Sequence, residues 1–245
     1  EQSGFVPGRN IRDNVLEAVI LSQAAQRDPS VKGAMVFLDF EKAYDRISRK
    51  FIFEVLGRLG FGPGFIGAMR ILHYDTVARV MVNQHLSEIF PVDSGVKQGC
   101  PIAPLLFAVA TQPLQRALAE DLEFKGLSLH GYRMTHRLYA DDTTLYAQDE
   151  RDAQRALSII NLFCQASGMA LNFRKCRVMS LNMAACAVFD PGEPNGDPMA
   201  TVNWGDFEPL LGMKMNPLAS QQGLLEALEV NLADKIAKRI ATFPF

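Results

Sequence analysis

The chain is organised around the stretch Arg137-Leu-Tyr-Ala-Asp141-Asp142-Thr-Thr-Leu-Tyr146, in which two adjacent carboxylates interrupt an apolar, aromatic and β-branched run. This composition predicts two short strands back to back, with a turn at Asp141-Asp142 that brings both acids to the tip of a hairpin. A carboxylate pair at a hairpin tip can hold a metal ion. Because Asp is also a common turn former, the stretch alone is equally consistent with an ordinary acidic turn.

A third carboxylate, Asp39, follows a second apolar run, Ala34-Met-Val-Phe-Leu38. Such a run predicts a buried strand that carries an acid at its C-terminal end. Burying a lone carboxylate costs free energy unless the acid is paired or binds a metal ion, so Asp39 requires a partner. The alternative is a turn or helix-capping acid just past the strand.

The composition is that of a globular protein, and the net charge is not the strongly basic charge typical of nucleic-acid-binding proteins. It has 245 residues, of which 48% are hydrophobic, and a formal net charge of −2. Any contact with nucleic acid is therefore expected to be local. The four cysteines lack zinc-finger spacing and are expected to be reduced thiols in an intracellular compartment. No signal segment and no apolar run approaching ~20 residues is found, so no membrane partner is expected.

The rest of the pattern mixes helices and strands. Helices are expected at 11–26 behind an Asn10 cap, at 48–59, from Pro63, from Ile102, at 150–167 ended by Gly168, and at 221–240. Strands are expected at 127–129, 176–181 and 210–215, with a hairpin formed by 76–83 and 86–90. The stretch 190–206 is rich in Pro, Gly and Asn and is expected to be a loop.

A polar, glycine-bearing loop, Ser94-Gly-Val-Lys-Gln98-Gly99-Cys-Pro101, leads into the helix that starts at Ile102. Glycine allows the backbone to approach a ligand closely, and a helix N-terminus presents unpaired N–H groups to phosphate or ribose. A simple loop-to-helix junction with a glycine turn explains the same residues. By itself, the loop does not distinguish these two interpretations.

Acids at one strand end and at one hairpin tip, with helices between them, predict an α+β fold of the split βαβ type, with an antiparallel sheet and helices on one face. The strands of Asp39 and Asp141 then lie side by side. Phosphoryl transfer by two divalent ions about 3.5–4 Å apart needs such a cluster of carboxylates. An all-oxygen site of this kind suits Mg²⁺, for which Mn²⁺ can substitute.

The ordered motifs resemble the reverse transcriptase domain of non-LTR (LINE-type) retrotransposons, over about residues 1–216. Phe37-Leu-Asp-Phe-Glu-Lys-Ala-Tyr-Asp-Arg-Ile47 is similar to the family's first catalytic motif, Gly95-Val-Lys-Gln-Gly-Cys-Pro-Ile-Ala-Pro-Leu-Leu-Phe107 to its template and nucleotide loop, and Tyr139-Ala-Asp-Asp142 to its catalytic hairpin. Gln2-Ser-Gly-Phe-Val-Pro-Gly-Arg9 is similar to a fingers motif, Gly168-Met-Ala-Leu-Asn-Phe-Arg-Lys175 to the palm lysine motif, and Leu210-Leu-Gly212 to the primer grip.

The resemblance implies a role for each matched residue. The catalytic, metal-binding carboxylates would be Asp39, Asp141 and Asp142, the substrate-binding residues Tyr44, Gln98, Gly99 and Lys175, and the primer grip Leu211 and Gly212. Tyr44 would stack under the incoming sugar as a steric gate against a 2′-hydroxyl, and Lys175 would lie near the triphosphate. A core aromatic and a solvated cation are the respective alternatives. Ala103 departs from the family, which usually has Ser there.

The resemblance also implies a right-hand polymerase palm with partial fingers and the start of a thumb. Fingers would comprise 1–33 and 48–98, palm 34–47 and 99–216 including the primer-grip strand, and thumb 217–245. We expect a fragment of a retroelement polyprotein that acts as an RNA-directed DNA polymerase, with two Mg²⁺ ions, an RNA template, a DNA primer and dNTP. Whether the isolated fragment is active stays open, as does its oligomeric state. The parent is expected to synthesise DNA in the nucleus and to assemble with its RNA in the cytoplasm.

Two alternatives remain. An RNA-templated RNA polymerase or a group II intron-type maturase shares the palm and the acids, although the bulky Tyr44 and the motif around it favour DNA synthesis by a retroelement. A non-catalytic fragment that only binds nucleic acid, or a decayed copy of an element, belongs to another class. The three intact acids argue against decay of the site.

Overall fold

The computed structural model describes residues 2–6, 8–181, 199–202, 208–210 and 213–215. In these ranges the helices are α1 (Ile11–Arg27), α2 (Ala43–Arg46), α3 (Arg49–Arg58), α4 (Pro63–His73), α5 (Ala103–Ala110), α6 (Gln112–Glu120) and α7 (Glu150–Ser167). The strands are β1 (Ala34–Leu38), β2 (Val77–Ala78), β3 (Met81–Val82), β4 (His85–Leu86), β5 (Phe90–Pro91), β6 (Leu127–Leu129), β7 (Tyr132–Met134), β8 (His136–Tyr139), β9 (Asp142–Ala147), β10 (Arg177–Ser180), β11 (Ala200–Thr201), β12 (Glu208–Leu210) and β13 (Met213–Met215).

A five-stranded sheet in the order β11-β10-β1-β9-β8 forms the centre of the described structure. β1 pairs antiparallel with β9 and β10, and β8 pairs antiparallel with β9, whereas β10 and β11 run parallel. The register sets Leu38 opposite Thr143, so the end of β1 and the start of β9 meet at the same edge. The prediction that the two acid-bearing strands lie side by side is confirmed.

Helices cover both faces of this sheet, because β1 is buried at all five positions and successive side chains point to opposite faces. Val36 and its neighbours on one face share a core with residues of α3, α5, α6 and α7. Met35 and Phe37 on the other face pack with Leu21 of α1. The predicted α+β architecture is confirmed, but the expectation of helices on one face needs a correction. The physical reason is the unbroken apolar run of β1, which requires cover on both sides.

Local signals set most helix boundaries as predicted. The Asn10 side chain accepts a hydrogen bond from the Arg12 N–H at 3.0 Å and caps α1, and Ser48 caps α3 by accepting from the Phe51 N–H at 3.4 Å. Gly168, with φ of 77°, ends α7 in the left-handed conformation that favours glycine. α6 was not predicted, and it begins directly after α5 with a proline in its first turn.

The hairpin predicted at 76–90 is present, although it is interrupted: β2 pairs with β5, and β3 with β4. A single strand was predicted at 210–215, whereas Leu210 belongs to β12 and 213–215 form β13, which pairs with β12 in an antiparallel manner. Cys100, Cys164 and Cys176 are free thiols. Within the described ranges, no helix combines the length and the hydropathy that crossing a membrane requires.

Several predictions lie outside the described residues. They are the primer-grip residues Leu211 and Gly212, most of the loop at 190–206, the helix at 221–240 and the start of the thumb at 217–245. The division of the chain into fingers, palm and thumb stays a prediction.

Candidate active site

The hairpin of β8 and β9 carries the acidic pair at its tip, as the sequence predicted. Tyr139 pairs with Asp142, which leaves Ala140 and Asp141 as a two-residue loop. Ala140 has φ of 56°, in the left-handed region that costs a residue other than glycine about 1–2 kcal/mol. Two-residue hairpin loops normally have glycine, asparagine or aspartate where φ is positive. The loop therefore persists only because its surroundings stabilise it.

Asp39 lies half-buried at the end of β1, beside the segment that carries Lys175. The Asn172 N–H donates to the Asp39 carbonyl at 2.8 Å, and the Glu41 N–H donates to the Ala170 carbonyl at 2.9 Å. Lys175 Nζ then lies 3.8 Å from Asp39 Oδ2, with 67% of the lysine side chain exposed. An ion pair this exposed adds little to stability. The contact matters because it sets an ammonium group beside the acids.

The three carboxylates influence one another electrostatically. The Asp142 side chain opens to solvent, yet protein surrounds the carboxylate on several sides, and this burial raises its pKa. The nearby charges of Asp141 and Asp39 raise the pKa of Asp142 further. Clustered acids with a perturbed pKa in a cleft are typical of a functional site and unusual for an ordinary turn.

The chemistry of these residues fits a hard divalent cation. The donors are carboxylate oxygens at an open edge of the sheet, where water and phosphate oxygens can complete the coordination that Mg²⁺ prefers. A cation would also relieve the repulsion that raises the pKa of Asp142. Among the described residues, no three acidic, His or Cys side chains already converge as a complete ligand set. The residues that would hold such an ion are Asp39, Asp141 and Asp142.

Asp142→Asn is expected to stabilise the protein at neutral pH in the presence of EDTA. The pKa of Asp142 is raised, so its stabilising contribution is full below the ordinary carboxyl pKa and is lost as the pH rises through the raised value. The neutral amide avoids this loss. We expect the Tm at pH 7 to rise by up to ~2 °C, because solvent screens a side chain this open, with a smaller difference near pH 4. An Asn variant that melts at or below the wild-type Tm at pH 7 would contradict the destabilisation of the ionised Asp142 by burial and by its acidic neighbours.

A cavity of about 390 Å³ lies beside the hairpin tip. Its size is within the range of small-molecule pockets, about 300–1,000 Å³. Four separate parts of the chain line it, through Phe5, Tyr44, Gln98, Gly99, Ala103, Pro104, Tyr139, Ala140, Asp141 and Asp142. The structure thus brings the predicted residues Tyr44, Gln98 and Gly99 to the acidic pair, whereas Asp39 and Lys175 are not part of the lining.

Tyr44 is both a packing residue and a cavity residue. Its ring stacks on Phe107 of the core, with ring centroids 4.5 Å apart and an interplanar angle of 13°. Burial, with smaller effects of the Asp141 and Tyr139 charges, raises the pKa of Tyr44 to about 12, so the phenol is neutral. Tyr44 is therefore a core aromatic where its ring stacks on Phe107, and it is also available to a ligand where it lines the cavity.

The loop that carries Gln98 and Gly99 is held against the segment around Tyr44. The Val96 N–H donates to the Tyr44 carbonyl at 2.8 Å, and Gln98 Nε2 donates to Asp45 Oδ1 at 3.3 Å. Gly95 has φ of 76°, and a Cβ there would lie 2.6 Å from the Tyr44 carbonyl oxygen. Only glycine permits this approach. The loop and the Tyr44 segment thus form one wall of the cavity.

Arg49 anchors this wall, and the motifs did not single it out. It is only 5% exposed, and its guanidinium donates to the carbonyls of Gly95 at 2.9 Å, of Ser94 at 3.0 Å and of the buried His73. A sequence signal existed: the buried residues of α3 include positions 49, 52, 53 and 56, so helical periodicity puts Arg49 on the apolar face. A cation on that face requires several acceptors.

The N-terminal segment also reaches the hairpin. The Ser3 N–H donates to the Leu138 carbonyl at 2.8 Å, and Asn14 Nδ2 donates to the same carbonyl at 3.2 Å. The Phe5 ring lies 6.5 Å from that of Tyr139 and lines the cavity. Sequence reasoning related this segment to a fingers motif but assigned it no site residue. No local pattern reports a contact between residues more than a hundred positions apart.

Comparison with known proteins agrees with this geometry. The family described as Reverse transcriptase (RNA-dependent DNA polymerase) matches residues 1–219. The chain is 33% identical over 175 residues to the uncharacterized 149 kDa protein of transposon TX1 from Xenopus laevis, covering 71% of this chain and 13% of that protein. It is 26% identical over 180 residues to the Pol polyprotein of a type-1 retrotransposable element R2 from Popillia japonica, covering 73% of this chain and 29% of that protein.

Solved structures share the fold. Telomerase from Candida albicans superposes with a TM-score of 0.56 at 12% identity, covering 93% of this chain and 38% of that one. Apo telomerase from Candida tropicalis superposes with a TM-score of 0.57 at 11% identity, covering 91% of this chain and 36% of that one. The sheet and its helices are therefore those of a reverse transcriptase palm.

Proposed function

Since this chain belongs to the reverse transcriptase (RNA-dependent DNA polymerase) family, we propose that it synthesises DNA on an RNA template as part of a non-LTR retroelement polyprotein. The observation that carries the proposal is the pairing of β1 with β9, which brings Asp39 to Asp141 and Asp142 at the edge of a substrate-sized cavity. The similarity to transposon TX1 and R2 proteins supports a retroelement origin.

In the proposed reaction, the 3′-hydroxyl of a DNA primer attacks the α-phosphorus of a dNTP, and pyrophosphate leaves. Asp39, Asp141 and Asp142 would hold two Mg²⁺ ions, which supply activation of the hydroxyl and neutralisation of the triphosphate charge when bound. The ammonium of Lys175, beside Asp39, offsets negative charge on the same phosphates. Its exposure leaves it accessible to a substrate.

The cavity wall would position the nucleotide. Gln98 offers an amide for hydrogen bonding. Gly99 has φ of 85°, and apart from its chain neighbours no atom of the described residues lies within 4 Å of where a Cβ would stand, so a template or nucleotide can approach the backbone. Tyr44 presents a ring that Phe107 supports from behind. Together with Lys175, these three residues are our proposed substrate contacts within the described part of the chain.

The wider assignments belong to the same proposal. We assign 34–47 and 99–216 to the palm, 1–33 and 48–98 to partial fingers and 217–245 to the start of the thumb, with Leu211 and Gly212 as the primer grip. The parent would synthesise DNA in the nucleus after assembling with its RNA in the cytoplasm. Family membership over residues 1–219 and the retroelement relatives support the retroelement origin from which these assignments are proposed.

Tyr44→Ala is expected to raise ribonucleotide incorporation relative to deoxyribonucleotide by about 10- to 100-fold, the range over which pocket contacts discriminate small groups. Removing the ring opens space for a 2′-hydroxyl beside Phe107. The ratio is measured from kcat/KM for UTP and dTTP in single-nucleotide primer extension. Tyr44→Phe is the matched control, because it keeps the stacked ring and should keep the wild-type ratio. An unchanged ratio in Tyr44→Ala would remove Tyr44 as the gate.

Primer extension tests the function itself. The purified chain receives a DNA primer on an RNA template or a DNA template, with dNTPs or NTPs and Mg²⁺. The proposal expects dNTP incorporation on RNA that EDTA stops. Incorporation of NTPs in preference to dNTPs would indicate an RNA polymerase, and tight binding of primer-template without extension would indicate a nucleic-acid-binding fragment.

A further inference from the structure

The side chain of Gln2 hydrogen-bonds both polar backbone groups of Ala140, 138 positions away. Gln2 Nε2 donates to the Ala140 carbonyl at 3.1 Å, and the Ala140 N–H donates to Gln2 Oε1 at 2.8 Å. The same Oε1 accepts from the Gly4 N–H at 2.9 Å. Gln2 is 1% exposed. One buried side-chain amide thus hydrogen-bonds both the N–H and the carbonyl of Ala140, as the backbone of a neighbouring strand would.

Gln2 is itself fixed from two sides. Its N–H donates to Gln115 Oε1 of α6 at 2.8 Å, and its carbonyl accepts from Arg9 Nη1 at 2.6 Å. Gly4 lies so close to the hairpin that a Cβ there would be 2.6 Å from the Ala140 nitrogen. These contacts hold the Gln2 backbone beside the hairpin, so its side-chain amide can reach Ala140.

Ala140 is the residue for which such support matters most. It holds the left-handed turn directly before Asp141, in a conformation that an unsupported alanine disfavours. The direction of the Asp141 and Asp142 side chains depends on that turn, because they follow it in the chain. Catalytic groups need their geometry held by supporting hydrogen bonds to remain effective.

We propose that Gln2 is a positioning residue, which clamps Ala140 in its turn and so orients Asp141 and Asp142 for nucleotidyl transfer. The proposal rests on the proposed function for its catalytic consequence. Its structural part, that the Gln2 amide holds the Ala140 turn, stands on the hydrogen bonds alone. The two parts call for separate measurements.

The catalytic part is tested with Gln2→Met, which keeps the length of the side chain and removes its hydrogen bonds. We expect kcat for primer extension to fall about 10- to 100-fold, the usual effect of removing a supporting partner of metal-binding groups. The KM for dNTP should stay unchanged, because Gln2 does not line the cavity. Ser22→Ala is the matched control: it removes a buried hydroxyl that donates to the Ala18 carbonyl at 3.0 Å within α1, and it should keep the wild-type kcat.

The structural part is tested by amide hydrogen exchange at Ala140, which needs no activity. The Ala140 amide should be protected in the wild type and in Ser22→Ala, and should exchange at least tenfold faster in Gln2→Met under conditions in which all three proteins are folded. Gln2→Asn gives a second variant if the methionine variant does not fold, since its amide is one methylene too short to reach both groups.

The outcomes separate the two hypotheses. A full-length parent protein without primer extension contradicts the proposed function, and Ala140 exchange still decides the role of Gln2. An active wild type whose kcat is unchanged by Gln2→Met overturns the positioning role, as does an Ala140 amide equally protected in the wild type and in that variant. Equal losses of kcat in Ser22→Ala and Gln2→Met would also overturn it, because they would indicate a general effect of losing a buried hydrogen bond.

Discussion

Asp141→Asn should abolish nucleotide incorporation, with a loss of about 10³-fold or more in kcat, the upper range for removal of one electrostatic contact in an active site. The amide has the size of the carboxylate and suits a two-residue turn, so the hairpin of β8 and β9 should survive. What it lacks is the negative charge that a divalent cation requires. Primer extension measures the loss, and thermal unfolding shows that the fold is retained.

Asp149→Asn is a matched control for this experiment. Asp149 also loses a charge on substitution, but it caps α7 by accepting from the Asp152 N–H at 2.8 Å, and it does not line the cavity beside the hairpin. Asn is an equally good cap, so both stability and incorporation should stay at the wild-type level. Incorporation retained by Asp141→Asn would contradict the assignment of the carboxylates to metal binding.

Arg49→Met should lower the free energy of unfolding by about 3 kcal/mol, because hydrogen bonds from a charged donor contribute about 1.5–3 kcal/mol each and are not additive. Three backbone carbonyls, of His73, Ser94 and Gly95, lose their donor. The loop that carries Gln98 should loosen with them. In the active protein we therefore also expect a higher KM for dNTP, measured by primer extension.

Arg58→Met on the same helix provides the comparison. Its guanidinium pairs with the Glu54 carboxylate at 2.9 Å, and 79% of the arginine side chain is exposed. Such a surface pair contributes well under ~1 kcal/mol. Urea unfolding with an equal m-value for both variants separates the two cases. An Arg49 variant as stable as the Arg58 variant would show that water replaces the anchoring hydrogen bonds.

Much of this site can be predicted from the sequence, because the patterns that indicate it involve residues close together in the chain. An apolar run ending in Asp39 predicts a buried strand, and the pattern around Asp141-Asp142 predicts a hairpin. Both are present, and their strands pair as the topology requires. The helix caps Asn10 and Ser48 were predicted for the same reason, since a cap and the N–H it binds are two or three positions apart.

Other features depend on contacts between distant residues. The support of Ala140 by Gln2 spans 138 positions, and the anchoring of Gly95 by Arg49 spans 46. The packing of α1 on the second face of the sheet is of the same kind. Each of these contacts was missed in the sequence analysis. The periodicity of apolar positions indicates which side chains are buried, but it does not indicate which distant group a buried side chain contacts.

The sequence by itself determined the chemistry: three acids, a tyrosine, a glycine-bearing loop and a lysine in the order of a reverse transcriptase. Only the tertiary structure decided how the acids are held. The left-handed conformation of Ala140, directly before Asp141, is disfavoured for an alanine. The buried side-chain amide of Gln2, in the N-terminal segment, offsets that cost. Local preference selects strands and caps, whereas strained geometry at the hairpin tip requires long-range packing and hydrogen bonds.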